Sequence, residues 1–276
     1  LETGCDGLIT TNTTIGRTGL VENPARIATI GAGGLSGRPV RERSTYVLAR
    51  VARRIRAQSR PLPLIGVGGI ARSHMAGWAE SEHAEVVAGS DISEPFLQKW
   101  GKEFGISLLT TTPDDLWNDP NIDIIDICTP NNYHAPLAIA ALKAGKHVIC
   151  EKPLAPTPND IQQMIAARDT SGKLLMTAQH FRFSGAAKAM KAELNTGVLG
   201  NIYHARSWML RRAAAPTRPG FILKEHAVGG ACIDIGVHIL DLTLWFMGNP
   251  KPISVTGVTR TELAHQAGAF SIWGGA

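Results

Sequence analysis

The stretch Leu62-Pro-Leu-Ile-Gly-Val-Gly-Gly-Ile-Ala71 decides the reading of this chain. Four apolar-rich positions run into Gly66-Val-Gly-Gly-Ile-Ala71, which fits G-x-G-x-x-A, and residues 72–80 then carry helical spacing. Strand, glycine turn and helix in that order are the context a dinucleotide loop requires. Gly66 permits the tight turn, Gly68 lets the backbone approach a pyrophosphate, and Ala71 allows close helix packing, with Gly69 and Ile70 completing the turn. The helix N-terminus beyond favours an anion. Asp91, twenty residues past Ala71 at the end of the next apolar run, can accept hydrogen bonds from a ribose 2′-hydroxyl and would repel a 2′-phosphate. NAD is therefore expected in preference to NADP.

Downstream, apolar β-branched runs alternate with helical patterns: strands at 84–88, 122–128 and 147–150, helices at 94–104 and 135–143. That alternation predicts βαβ units and a Rossmann-type doubly wound parallel sheet, an α/β fold. Beyond residue 155 the pattern continues with a helix at 160–168, a strand at 174–178, a helix at 185–193, strand-like 202–210, a long helix at 231–247 and a strand at 253–258. Two strand candidates flanking that last helix are few for a sheet, so the second α/β domain is expected to be incomplete at its C-terminal end.

Composition narrows the class. The chain has 276 residues, 44% of them apolar, and a formal charge of +5. The positive excess lies in the arginine-rich first 65 residues, and no lysine precedes Lys99. No basic stripe with interleaved aromatics is present, so nucleic acid is not an expected partner. No apolar run of about 18 residues suggests a membrane span, and no charged-then-apolar leader precedes the first strand. Cys5, Cys128, Cys150 and Cys232 are far apart, which suits buried thiols better than bridges or metal ligands. A cytoplasmic protein without a bound metal is the expectation.

Lys152, in Glu151-Lys-Pro153, follows a buried strand and so lies at the carboxyl edge of the sheet, where doubly wound folds bind ligands. A lysine there can hold a substrate hydroxyl. Asp234, His238 and Asp241 recur at helical spacing and are expected on one face. A histidine oriented by a carboxylate can take a hydroxyl proton while hydride leaves the same carbon. The plain alternative for the pair is a helix-end Asp and a core His.

These residues, with Thr129-Pro-Asn-Asn-Tyr-His134 and Gly229-Gly-Ala-Cys-Ile-Asp-Ile-Gly-Val-His238, resemble the Gfo/Idh/MocA oxidoreductases over residues 62–276. The resemblance implies a Rossmann domain (62–180) and an open-faced α/β substrate domain (181–276) that is C-terminally truncated here. It also implies NAD(P)-dependent oxidation of a sugar or cyclitol hydroxyl, with Lys152, Asp234 and His238 as the catalytic group. Thr129, Asn131, His134, Glu151 and Lys152 would lie near the cofactor, and homo-oligomers are expected for the complete domain. A non-catalytic NAD-binding sensor of the same family is a further alternative, against which the intact Lys152, Asp234 and His238 speak.

The first 70 residues resemble something else. Gly7-Leu-Ile-Thr-Thr-Asn-Thr-Thr14, Gly33-Gly-Leu-Ser-Gly-Arg-Pro39 and the stretch from Leu62 are similar to late strands of class 2 dihydroorotate dehydrogenase, an FMN-dependent TIM (β/α)8 barrel. Carried over, Asn12 and Thr13 would touch orotate, and Thr11, Gly37 and Gly69 would touch FMN. Segment 1–61 would then be a barrel fragment, short of the eight strands needed to close and without the family's catalytic serine. The two resemblances meet at residues 62–70, and a recombined reading frame joined there accounts for both. FMN, orotate and pyrimidine biosynthesis belong to this alternative reading alone.

Overall fold

A computed structural model describes residues 60–66, 69–82, 84–210 and 224–260. The flavoenzyme-like segment, with Thr11, Asn12, Thr13 and Gly37, lies outside the described residues, as does Gly68.

Six parallel strands form one sheet: β1 (Arg60–Ile65), β2 (Ala84–Ser90), β3 (Leu108–Thr110), β4 (Ile124–Ile127), β5 (His147–Cys150) and β6 (Leu175–Thr177), in the spatial order β3-β2-β1-β4-β5-β6. The order reverses between β1 and β4, so the strand ends open a crevice there. Helices α1 (Ala71–Trp78) and α2 (Glu94–Phe104) cover one face. On the other lie α3 (Asp114–Asn118), α4 (His134–Lys143) and α5 (Pro158–Ser171).

Alternation along the strands divides the core between these faces. Ile125, Ile127 and Val148 pack with Leu116, Leu142 and Met164, whereas Leu64, Ile124 and Ile149 pack with Met75, Trp78, Leu97 and Trp100. A strand buried on both faces reads as a near-continuous apolar run, as Ile124 to Cys128 does apart from Asp126. Gly89 is needed for the second layer, because a Cβ there would lie 2.5 Å from the Trp100 ring. Helix starts follow side-chain capping: Thr157 Oγ1 accepts from the Asp160 amide at 3.2 Å to open α5, and Ser184 Oγ accepts from Ala187 at 3.2 Å to open α6 (Gly185–Asn195).

The expected helix at 231–247 forms in two parts, a π-helical turn (Cys232–Gly236) and α8 (Val237–Phe246), preceded by the short α7 (Lys224–Ala227). The strands expected at 202–210 and 253–258 do not form. Both segments run without sheet pairing, and Tyr203, Ile253 and Val255 are exposed. Apolar alternation supplies one face of a strand, but the ladder needs a neighbour, and no described strand lies alongside. β3 and α3 went unrecognised because three and five residues are too short to establish a period.

Candidate functional site

Gly66, directly after β1, has φ +80°, and a Cβ there would stand 2.8 Å from the Thr129 amide nitrogen and 2.9 Å from the Cys128 carbonyl carbon. Only glycine therefore lets the turn pass against the exit of β4. Gly69 and Ile70 are exposed on the turn, and Ala71 is buried beneath it at the start of α1. Asp91 follows the last residue of β2, and its Oδ1 accepts from the Ser93 amide at 2.9 Å, which fixes the carboxylate at the strand end. A turn open to solvent before a helix N-terminus, with a carboxylate fixed at the neighbouring strand end, fits a dinucleotide.

Across the crevice, Lys152 Nζ donates to the Asp234 carbonyl at 2.8 Å and reaches its Oδ1 at 3.2 Å. The contact joins the end of β5 to the π-helical turn. Such widened turns recur at functional sites because they displace backbone groups from the regular ladder. Gly229 lies against this turn, where a Cβ would stand 2.4 Å from Ile233 Cγ1. His238 is buried in the first turn of α8; its ring stacks on Phe181 at 4.5 Å and meets His180 edge-on at 4.8 Å.

Asp234 and Asp241, expected on one face with His238, take different partners. The π turn breaks the α spacing ahead of His238, so Asp234 turns to Lys152, while Asp241 takes a bidentate pair with Arg182 at 2.6 and 2.5 Å. Arg182 belongs to the 3-10 turn His180–Phe183 and ties it to α8.

Four residues expected near the cofactor bind protein groups. Asn131 Nδ2 donates to the Ala227 carbonyl at 3.0 Å. The buried His134 ring spans the Pro153 carbonyl at 2.7 Å and the Thr129 carbonyl at 2.8 Å, bracing the loop after β4 against the strand end that carries Lys152. Thr129 thus contributes main chain to that brace. Glu151 points into the domain: its Oε1 meets His74 Nε2 at 3.0 Å, and its Oε2 accepts the Lys152 amide at 2.9 Å. Glu151 thereby acts on the site through Lys152 and the core; its charge is not presented to the crevice.

The buried partners of Glu151 were not foreseen. His74 Nδ1 lies 2.9 Å from Asp126 Oδ2, and Trp78 Nε1 donates to the same oxygen at 2.8 Å. Burial works against Glu151's charge, yet the His74 hydrogen bond and charge hold it at about 2. Burial likewise opposes a charged His74, but Asp126 carries it well above its ordinary value. Burial pushes the Cys128 thiol up to about 12 and holds His180 below its ordinary value. Signals for two of these were present: Asp126 is an acid inside an apolar strand, and His74 lies three residues after Ala71 on the helix face that must pack. A buried ionisable group requires a partner. His180 and Arg182 carried no comparable signal.

Comparison with known proteins gives three family matches. Residues 62–179 match the oxidoreductase family with an NAD-binding Rossmann fold, and 187–270 match the GFO/IDH/MocA C-terminal domain. Residues 1–77 match dihydroorotate dehydrogenase, in keeping with the resemblance of the first segment. Among curated proteins, the chain is 32% identical over 213 residues to D-glucoside 3-dehydrogenase of Escherichia coli, covering 76% of this chain and 61% of that one. It is 31% identical to myo-inositol 2-dehydrogenase of Thermotoga maritima, covering 67% and 54%. Among solved structures, a probable dehydrogenase from Thermotoga maritima superposes with TM-score 0.60 at 30% identity, covering 68% and 55%. A levoglucosan dehydrogenase in complex with NADH gives TM-score 0.62 at 28% identity, covering 69% and 54%. The chain thus spans a little over half the length of these relatives.

Proposed function

We propose, from the premise that residues 62–270 belong to the Gfo/Idh/MocA family of NAD-binding oxidoreductases, that the protein moves hydride between a sugar or cyclitol hydroxyl and NAD. The observation that carries this reading is Lys152 Nζ at the carboxyl edge of the sheet, bound to the carbonyl and carboxylate of Asp234 across the crevice. The names of the relatives, dehydrogenases of a glucoside, an inositol and levoglucosan, support the substrate class.

Bound NAD would supply the hydride acceptor, with its pyrophosphate at Gly66 to Ala71 and its ribose at Asp91. In this assignment Lys152 donates a hydrogen bond to the substrate oxygen and favours its deprotonated form. Asp234 holds the lysine's ammonium in place, and His238, packed against Phe181 and His180, takes the hydroxyl proton. His180 is kept neutral by burial, so the pair does not place two positive charges side by side. Preference for NAD over NADP follows from Asp91, and a homo-oligomeric cytoplasmic enzyme is the family-level expectation. Among the described residues no helix is long and apolar enough to cross a membrane.

The test is single-turnover reduction of NAD by sugars and cyclitols, in the unmodified chain and in Lys152→Met. Hydride transfer that survives Lys152→Met would remove the lysine from the mechanism. The match of residues 1–77 to dihydroorotate dehydrogenase sustains a second reading, an FMN-binding segment. A flavin spectrum in the purified protein, bleached by dihydroorotate, would favour it.

A further inference from the structure

We infer that His74 is a positioning residue for Lys152: its imidazolium is clamped between Asp126 and Glu151 and ties the helix after the glycine turn to the strand end that carries the lysine. Its consequence for turnover rests on the hydride-transfer reading above; the clamp itself does not.

Asp126 is fully buried on β4, and Glu151 follows the last residue of the neighbouring β5 with 6% of its surface exposed. Two carboxylates taken out of water on adjacent strands repel each other and forgo their hydration. His74 rises between them from α1. Its Nδ1 lies 3.1 and 2.9 Å from the two Asp126 oxygens, and its Nε2 lies 3.0 Å from Glu151 Oε1. Ionised carboxylates only accept, so both ring nitrogens must donate, and only the doubly protonated ring does that. With both carboxylates accepting, the geometry suits a charged ring. Glu151's second oxygen takes the Lys152 amide at 2.9 Å, which completes a run of fixed contacts from β4 through α1 to the backbone of the lysine. With the clamp closed, the lysine stem starts from one orientation and its ammonium meets Asp234.

His74, Asp126 and Cys128 also have spacings a metal ion could use, with Cys128 Sγ 3.5 Å from Nδ1 and 3.8 Å from Asp126 Oδ1. A cation there would need a deprotonated Nδ1 and a thiolate. Burial instead raises the thiol, and His74 holds its proton. The pocket is built around a proton. The titratable groups around the ring are Asp126 and Cys128 on the β4 side and Cys150 and Glu151 on the β5 side, with Lys152 and His180 beyond Glu151.

The experiment labels histidine and lysine with nitrogen-15 in the full chain and assigns His74 with His74→Gln and Lys152 with Lys152→Arg. Both His74 ring nitrogens should show protonated shifts from about pH 6 to about pH 8 in the unmodified chain. In His74→Gln the Lys152 amide should move while the other lysine amides stay. Single-turnover hydride transfer should fall by about 10², the scale of a misplaced catalytic group, with NAD affinity within about threefold. A neutral ring at pH 7 would overturn the inference, as would one equivalent of zinc in the purified protein, or an unmoved Lys152 amide in folded His74→Gln. Failure of every substrate would count against the hydride-transfer reading and leave the ring and amide results standing.

Discussion

Asp91 is the residue whose role is easiest to isolate, because its carboxylate is already fixed by the Ser93 amide at 2.9 Å before any ligand arrives. A charge-assisted hydrogen bond is worth roughly 1.5 to 3 kcal/mol, so NAD should bind at least tenfold tighter than NADP, and Asp91→Ala should abolish the difference. Parallel fluorescence titrations with NADH and NADPH check this, and equal affinities in the unmodified chain would remove Asp91 from the ribose site. His238→Ala should lower single-turnover hydride transfer by about 10² to 10⁴, the scale of a positioned acid-base group, and leave NADH affinity unchanged. At this scale the sequence was readable where a motif names its own context, as at Gly66 and Asp91. It was silent on which way each side chain turns. Glu151 stands beside Lys152 in the chain yet faces the core, because strand geometry sends successive side chains to opposite sides. His74, spoken for by two carboxylates, could be found only by asking what an acid at Asp126 does inside an apolar strand.

Strand and helix elements carry two further expectations. Gly66→Ala would push a Cβ to 2.8 Å from a backbone nitrogen at φ +80°. It should destabilise by about 1 to 3 kcal/mol, read as a lowered unfolding midpoint, and weaken NAD binding as the turn shifts. Replacing Arg182 with Ala leaves the Asp241 carboxylate, 16% exposed, without its bidentate partner. Thermal unfolding should register a loss of about 1 to 3 kcal/mol, and the release of the 180–183 turn should alter the environment of His238. Elements with six or more residues were legible in the sequence to within a few positions, as 94–104 and 135–143 illustrate. The break at Asp234 was not, since a π turn changes the number of residues per turn without changing the hydrophobic pattern. The expected strands 202–210 and 253–258 failed for the opposite reason: a pattern that suits a sheet still requires a neighbouring strand to form one.

Whole-molecule stability should record the buried clamp. Glu151 is held at about 2 against an ordinary 4.5, so its contribution is present above about 4.5 and lost as pH falls through about 2. His74 is raised above its ordinary 6.5, so its contribution is full below about 6.5 and lost as pH rises through its elevated value. The difference in urea midpoint between the unmodified chain and His74→Gln should be largest between about pH 4.5 and about pH 6.5 and shrink on either side. A pH-independent difference would mean that His74 is uncharged in the fold. The architecture itself was legible as alternation, because a parallel sheet covered on both faces leaves buried strands and amphipathic helices in strict succession. The pairing of Lys152 with Asp234 was not, since it depends on contacts between residues 152 and 234 that no local pattern records. Single-turnover reduction of NAD, with protein in excess over NAD and with glucosides, anhydrosugars and inositols offered in turn, tests the central claim most directly. At least one substrate should yield reduced nicotinamide, and Lys152→Met should suppress it by about 10² or more. Tight NAD binding with no hydride transfer from any of them would contradict the account and leave a protein that senses the cofactor without using it.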